Sequence, residues 1–234
     1  MGEMRRITTI KQQVYEILRD DICSGVYEPG QQIQELELSK KLEISRSPIR
    51  EALRQLVSEG LAVEFPNRGV FVKTYTAKDI EDVFDLRILL ESYAIMRAGN
   101  HLTLEKHQEL NDCMERLKTY HSQNDISRYV EEDTFLHQLI IQLSGNFLVI
   151  STYERVYAMV QRFRSYSLKS RKRFDDSLVE HMEIIKNLIA GNAKEADRIN
   201  HEHLLLAKDS IIQYLEHMEQ EKAKNGSQKL PPPF

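Results

Sequence analysis

The chain lacks the features that mark several large classes of protein. It has only two cysteines, Cys23 and Cys113, which lie too far apart for any metal or redox motif. A reducing compartment, the cytoplasm, is therefore expected. The first residues show no apolar core of a signal peptide and, with Arg6, do not fit the myristoylation pattern. No segment approaches the roughly 18 apolar residues of a membrane helix, so no membrane partner is expected.

The chain also has no excess of basic charge. Its formal net charge is −4 and its pI is about 6.1, which excludes a wholly basic nucleic-acid coat protein. These values still allow a small local DNA-binding surface. Residues 1–75 carry 11 basic and 11 acidic residues, and the remaining residues carry 21 and 25. The first third is therefore less acidic than the rest, and the placement of its charges decides what it can bind.

The first 75 residues show the pattern of a winged helix-turn-helix domain. Apolar residues at helical spacing predict three helices, with the second at about 35–42. Ser47 is predicted to cap the third helix, with Pro48 at its first position. Alternating apolar residues on both sides of a turn at 66–69 then predict a small hairpin. Three helices followed by a hairpin in about 75 residues are typical of this domain.

The residues after Thr76 show only helical patterns. Gly99, Gly145 and Gly191 mark plausible helix ends. Residues 76–219 are therefore predicted to form an all-helical domain, and the polar, proline-rich residues 220–234 to be disordered. The fold class is mainly α, a winged helix-turn-helix followed by a bundle of about six helices. The predicted helices of the bundle cover roughly 76–98, 103–121, 125–143, 146–168, 175–190 and 193–219.

Three arginines share one face of the third predicted helix. Arg46, Arg50 and Arg54 are four residues apart, and apolar residues occupy the opposite face. In the DNA major groove an arginine can donate two hydrogen bonds to guanine, worth roughly 1–3 kcal/mol of discrimination. Ser45 and Ser47 stand at the helix start, where hydroxyl and backbone N–H groups can bind phosphate. A solvated face of arginine–glutamate pairs is the alternative, but the hairpin that follows directly favours DNA binding.

The same segment resembles a known family. YEPGQQIQELELSKKLEISRSPIREALRQLVSEGLAVEFPNRGVFV is similar to the winged-helix domain of GntR-type bacterial transcription regulators. The helical remainder resembles the FCD effector domain of their FadR branch, so the resemblance covers about residues 9–216. Some members carry an arginine in the second helix, where this chain has Glu35-Leu36-Glu37, so a base or phosphate contact from that helix is not expected here.

The resemblance also implies which residues touch DNA. It places Arg46 and Arg50 on operator bases, and Ser45, Ser47 and the wing glycine, Gly69, on DNA as well. Arg68, next to this glycine at the tip of the hairpin, can lie along the minor groove or the backbone. The predicted DNA-binding residues are therefore Ser45, Arg46, Ser47, Arg50, Arg54, Arg68 and Gly69.

Four polar residues of the helical domain fall at positions that are predicted to face the core. Asp133 and His137 are one helical turn apart, and His181 and His203 are in register with apolar residues on the last two helices. Burying them without partners would cost several kcal/mol. Imidazole and carboxylate bind zinc, nickel or manganese well, which predicts a divalent metal site. For any single histidine, ordinary hydrogen bonding in the core is the alternative.

The resemblance implies the same four ligands. Metal-binding members of the FCD group have an Asp-x-x-x-His pair, a histidine in a Glu-His segment and a histidine late in the last helix. This chain matches each with Asp133, His137, His181 and His203. His201 lies two residues from His203 and is expected to face elsewhere.

Arg87 lies in an apolar stripe and is predicted to point inward. An inward guanidinium needs an anion, which is Glu91, Asp133 or the carboxylate of a small effector. The resembling family places an arginine near its ligand cavity in an LRxxLE segment, matched by residues 86–91. Four further residues are predicted either to face this cavity or to lie on the surface, and the sequence does not decide between the two. They are Tyr153, Arg155, Arg162 and Arg164.

These observations predict a homodimeric transcription regulator, more specifically a repressor. Two recognition helices must meet the two half-sites of a palindromic operator. A small organic acid, bound at the metal and Arg87, is expected to change the spacing of the two winged domains and lower operator affinity. The alternatives are a metal-dependent enzyme acting on a small organic acid, and a ligand-independent DNA binder with a structural metal. The chain lacks a nucleophile motif. It also lacks an acid/base residue beside the predicted ligands at a spacing typical of catalysis, so an enzyme is not expected.

Overall fold

A computed structural model of the chain describes residues 8–99, 102–168 and 170–224. These residues form two units, of which the first ends at Thr74 and the second begins at Tyr75. The described ranges are mainly helical, with nine helices and one small sheet. None of these helices is long and apolar enough to cross a membrane.

The first unit is a winged helix-turn-helix, as the sequence predicts. Its elements are α1 (Ile10–Cys23), β1 (Gln32–Ile33), α2 (Glu35–Leu42), α3 (Arg46–Ser58), β2 (Ala62–Phe65) and β3 (Gly69–Val72). The turn between α2 and α3 is tight because Glu43 adopts a left-handed φ of 55°. The Ser39 hydroxyl donates to the carbonyl of Ile44 at 2.6 Å and closes this turn.

The wing has one strand more than the predicted hairpin. The three strands are antiparallel in the order β1-β3-β2, and β1 pairs with β3 through Gln32 and Ile33. A strand of two residues is too short to show an alternating pattern, so the sequence did not reveal it. β1 connects α1 to α2 and thereby ties the wing to the helices.

The buried face of α3 orients its other face outward. Ile49, Ala52, Leu53 and Leu56 are almost fully buried. Burying a large apolar side chain contributes about 1.5–3 kcal/mol, so this face fixes the rotation of α3 about its axis. The residues on the opposite face of α3 therefore point towards solvent.

In the second unit, the described residues form helices and the connections between them. The helices are α4 (Ala77–Ala98), α5 (Leu104–Ser122), α6 (Ile126–Leu143), α7 (Phe147–Ser167), α8 (Arg171–Ile189) and α9 (Ala193–Lys224). Thr76 and Asp79 form a reciprocal capping box at the start of α4. α9 packs against α4, α7 and α8, and α6 packs against α4, α5 and α7. This arrangement brings one face of each of α4, α6, α8 and α9 into a shared interior.

Two helix ends of this unit differ from the predicted ones. α8 begins at Arg171 rather than near 175, because the Ser170 hydroxyl accepts a hydrogen bond from the Arg173 N–H at 3.1 Å and caps it. α9 continues to Lys224, past the predicted end at 219. Residues 220–224, predicted to be disordered, are therefore helical, and residues 225–234 lie outside the described residues.

Candidate nucleic-acid interface and metal centre

The predicted DNA-contacting residues of α3 lie on one exposed face. Ser45, Arg46, Ser47, Arg50 and Arg54 are all exposed, while the apolar residues opposite them are buried. Three guanidinium groups on the outer face of the second helix of a helix-turn-helix are placed as major-groove recognition requires.

The start of α3 differs from the prediction. Ser45, not Ser47, is the N-cap residue, because the helix already begins at Arg46. Pro48 therefore stands third in the helix, still within the first turn, where its missing N–H breaks no intrahelical bond. The Ser45 side chain makes no capping hydrogen bond. The first N–H groups of α3 thus have no capping side chain and form a site suited to a phosphate.

A carboxylate from α2 reaches the arginine face. The two carboxylate oxygens of Glu35 accept hydrogen bonds from Nε of Arg50 at 3.1 Å and from Nη2 at 2.9 Å. These bonds hold the pKa of Glu35 below its usual value, although partial burial opposes the shift. The nearby charges of Arg46 and Arg54 act in the same direction. The sequence showed that acidic residues stand here, but not which arginine they bind.

The wing tip is held in place from β1. The Gln32 side-chain amide donates to the carbonyl of Arg68 at 2.7 Å. Gly69 adopts a φ of +92°, and a Cβ there would stand 3.2 Å from the Gln32 amide nitrogen, so glycine suits this position. The exposed Arg68 guanidinium lies over the rings of Phe65 and Phe71, 5.8 and 5.9 Å from their centroids. Both predicted wing residues therefore lie at an exposed, well-supported tip.

The four predicted metal ligands meet in the interior of the second unit. Asp133 and His137 come from α6, His181 from α8 and His203 from α9. All four are buried, and one ligand atom from each lies within 4.8 Å of the others. His201 is exposed, as expected from its position two residues before His203.

Two of the histidines are oriented by carboxylates. Nδ1 of His137 lies 2.8 Å from Oε2 of Glu91, and Nδ1 of His203 lies 2.6 Å from Oε2 of Glu180. The ionised Glu91 carboxylate only accepts hydrogen bonds, so Nδ1 of His137 carries the proton and its Nε2 has a free lone pair. Nδ1 of His203 also lies 3.2 Å from Nη2 of Arg173, a group that only donates. Nε2 of His137 is buried and has no hydrogen-bond partner among the described residues. Such an orphaned nitrogen fits a metal ligand.

The remaining ligand atoms face the same point. Nε2 of His181 lies 2.9 Å from Oδ1 of Asp133 and 3.2 Å from Nε2 of His203. Its other nitrogen, Nδ1, lies 3.1 Å from the Tyr129 hydroxyl. The same Oδ1 is 3.6 Å from Nε2 of His137. Three imidazole Nε2 atoms and one carboxylate oxygen therefore converge, a donor set that fits zinc, nickel or manganese.

The charge states of these groups suit a cation. Burial lowers the pKa of His181 and lowers that of His203 strongly, so both imidazoles are neutral at pH 7. Burial by itself would raise the pKa of Asp133, but the Arg164 guanidinium and the adjacent histidines hold it well below its usual range. Two neutral imidazoles beside an ionised carboxylate are the forms in which these groups bind metals.

Glu91 connects the site to the surrounding helices. Its carboxylate is fully buried and accepts hydrogen bonds from Arg87 Nε at 2.7 Å, the Tyr153 hydroxyl at 3.1 Å and Asn200 Nδ2 at 3.0 Å. Despite the opposing effect of burial, the charge of Arg87 and the hydrogen bonds from His137 and Arg87 hold the pKa of Glu91 well below its usual range. One ionised carboxylate on α4 thus binds residues of α6, α7 and α9.

Arginines form the wall next to the four ligands. Arg87 is paired with Glu91, one of the partners that the sequence allowed, and its Nη2 has no hydrogen-bond partner among the described residues. Arg164 binds Oδ2 of Asp133 through Nη1, while its Nε and Nη2 find no hydrogen-bond partner in the described part of the chain. Arg173 lies 2.8 Å from Glu180 and was missed in the sequence, because α8 was predicted to begin after it. The side chains of Arg155 and Arg162 lie outside the described part of the structure.

These arginines enclose a very small cavity. Its volume is about 10 Å³, the space of one water molecule. Its lining is partly polar, with three guanidinium groups, and partly apolar. An organic acid therefore cannot enter without movement of the side chains around it. The wall is formed by Phe84, Arg87, Asp133, Arg164, Ser167, Leu168, Arg173, Ser177, His203, Ala207 and Ile211.

Comparison with known proteins places the chain in a family. Residues 10–72 match the family described as bacterial regulatory proteins, gntR family, and residues 82–206, more than half of the chain, match the FCD domain. The chain is 28% identical over 214 residues to the uncharacterised HTH-type transcriptional regulator YdhC of Bacillus subtilis (strain 168), covering 91% of this chain and 94% of YdhC. It is 27% identical over 204 residues to the HTH-type transcriptional repressor RspR of Escherichia coli (strain K12), covering 87% of this chain and 90% of RspR.

A solved structure shows the same fold. The crystal structure of a GntR transcriptional regulator from Rhodococcus sp. RHA1 superposes with a TM-score of 0.76 at 23% identity and covers 88% of this chain and 99% of that one. The family matches extend over both units, and the chain belongs to the GntR family of bacterial transcription regulators that carry an FCD domain.

Proposed function

We propose that the chain is an operator-binding repressor controlled by a small carboxylate that binds beside a divalent cation in the helical unit. The cation site of this proposal rests on one observation. Three imidazole Nε2 atoms converge on Oδ1 of Asp133. Two of these imidazoles are fixed by carboxylates behind them, an arrangement typical of metal-binding histidines. RspR is named a transcriptional repressor, which supports repression rather than activation as the direction of regulation.

Asp133, His137, His181 and His203 would hold the cation. A cation held there would supply positive charge and, if it takes more than four ligands, a further position for a carboxylate oxygen. Zinc, nickel and manganese all accept imidazole and carboxylate ligands, and the donor set does not select among them.

The arginines next to these ligands favour an acid as the effector. Nη2 of Arg87 and the Nε and Nη2 atoms of Arg164 are buried donors that have no partner within the residues that the structure describes. An unsatisfied buried donor costs about 1–3 kcal/mol, so a carboxylate placed among them would be stabilised. Since the cavity holds about one water, the acid must select an arrangement in which these side chains have moved. Its effect on DNA binding is limited by its difference in affinity for the two arrangements.

An exposed apolar stripe on α4 supports the homodimer. Leu86, Leu89, Tyr93 and Met96 are 40–68% exposed and recur at helical spacing on one face. The Tyr93 hydroxyl accepts a hydrogen bond from Asn146, which places the start of α7 beside the stripe. We propose that a second copy of the chain covers this surface, because a palindromic operator requires two recognition helices.

Replacing Arg50 with alanine tests base readout. The variant is expected to lose at least about fivefold in its preference for operator over random DNA, because a bidentate contact to guanine is lost. Binding to random duplexes should weaken much less, by the loss of one phosphate-attracting charge. Competition gel shifts at fixed salt measure both quantities, and equal losses on the two kinds of DNA would contradict base readout.

Replacing His203 with alanine tests the metal site. Purified His203→Ala is expected to lose the metal that elemental analysis finds in the wild-type chain, because one of four converging ligand atoms is removed. His201→Ala is the matched control, since His201 is exposed two residues away and should leave the metal content unchanged. The same metal content in both variants would remove His203 from the site.

Replacing Arg87 with lysine tests the effector site. The variant keeps a positive charge against Glu91 but loses the planar fork that binds a carboxylate. Short mono-, di- and hydroxycarboxylates that release DNA from the wild-type chain should do so only at higher concentration, with acid-free DNA affinity unchanged. Fluorescence anisotropy of labelled DNA measures this response. Arg116→Lys is the control, because Arg116 pairs with Glu132 away from the cavity; equal acid responses of the two variants would count against Arg87.

Replacing Leu89 with aspartate tests the dimer surface. Leu89 is 68% exposed, so the change is tolerated in the monomer, but it places a charge in an apolar interface. Size-exclusion chromatography with light scattering should therefore show a shift from dimer to monomer. Leu104→Asp, at a position that is 90% exposed on α5, should remain dimeric. A dimeric Leu89→Asp variant would place the interface elsewhere.

A further inference from the structure

The ion pair between Glu35 and Arg50 joins the two helices of the helix-turn-helix on its exposed face. Glu35 is the first residue of α2, and Arg50 lies on the second turn of α3. The carboxylate binds the side edge of the guanidinium, through Nε and one hydrogen of Nη2. Both side chains are partly exposed, so the pair contributes little to folding stability. The two hydrogen bonds do, however, fix the orientation of the Arg50 guanidinium.

The geometry leaves the other edge of the guanidinium available. A guanidinium has five N–H groups, of which Glu35 occupies two. The second hydrogen of Nη2 and the hydrogens of Nη1 remain, and they form a second two-pronged donor. The O6 and N7 atoms of guanine accept such a pair of hydrogen bonds. Glu35 thus holds Arg50 by one edge, while the edge needed for guanine has no hydrogen-bond partner among the described residues.

The same carboxylate has an unfavourable effect on DNA binding in general. Glu35 lies close enough to Arg46, Arg50 and Arg54 to feel the charge of each, which places it within the arginine face. A negative charge on a surface that approaches phosphates lowers the affinity for any DNA. A lone arginine side chain, by contrast, has many rotamers and must lose this freedom when it binds a base.

We infer that Glu35 determines operator specificity by positioning Arg50 for guanine, at the expense of affinity for DNA of any sequence. This inference rests on the proposed operator binding by Arg50 and adds a residue that acts through it. Glu35 does not touch the base itself in this arrangement.

Selection from a library of short duplexes with a random central region tests the inference. The wild-type chain, Arg50→Ala, Glu35→Gln and Glu37→Gln are each incubated with the library, and the bound DNA is sequenced. The guanine read by Arg50 is the position whose preference disappears in Arg50→Ala. Glu35→Gln should reduce the preference for this guanine by about fivefold or more. Its affinity for unselected duplexes, measured by anisotropy, should rise.

Glu37→Gln is the matched control. Glu37 is an exposed glutamate on the same helix, and the same unit of charge is removed without loss of a contact to Arg50. Its guanine preference should equal that of the wild-type chain. Because Glu35 acts through Arg50, adding Glu35→Gln to Arg50→Ala should reduce discrimination at this position no further.

Three results would overturn the inference, and they can be told apart. An unchanged guanine preference in Glu35→Gln, or loss of a preference for a neighbouring cytosine instead, would show that Glu35 does not position Arg50. The latter pattern would mean that the carboxylate itself accepts a hydrogen bond from the cytosine amino group. If the wild-type chain enriched no sequence at all, the proposed operator binding would fail and the inference with it.

Discussion

The buried ion pair between Glu91 and Arg87 is the interaction on which the arrangement of the helical unit's interior depends. Both groups are almost completely excluded from water, so removal of either one would leave an uncompensated charge that costs about 3–5 kcal/mol. The pair keeps Glu91 ionised, and an ionised carboxylate accepts hydrogen bonds but donates none. It therefore fixes the proton of His137 on Nδ1 and directs the free Nε2 towards Asp133.

α4 joins two features of the proposed regulator. Its inner face carries Arg87 and Glu91, and its outer face carries the apolar stripe around Leu89. Glu91 also binds Tyr153 on α7 and Asn200 on α9, so a change at the acid site alters the contacts that hold α4 against its neighbours. Packed interfaces respond to such changes by moving between discrete arrangements. In the proposed function, ligand binding and the dimer surface are therefore connected through one helix.

Much of the fold and part of the site follow from residue spacing. A period of 3.6 residues places Asp133 and His137 on one face of α6 and separates inward His203 from outward His201, and the structure agrees on both points. The wing hairpin follows from the alternation of apolar and polar residues along its strands. β1 could not be predicted in this way, because a strand of two residues is too short to show an alternating pattern. Arg173 was not predicted as a site residue, because the cap at Ser170 starts α8 earlier than the apolar pattern indicates.

Periodicity within each helix determined which side chains point inward, because that depends only on the rotation per residue and on the burial of apolar surface. Only the tertiary structure decided which inward groups meet, since helix packing sets the distance between residues far apart in the chain. Glu91 and Asn200 are 109 residues apart and share a hydrogen bond, and Glu35 reaches Arg50 because a turn folds α2 against α3. The partners of each charge, and hence the tautomers and the free donors, were therefore fixed by packing rather than by local pattern.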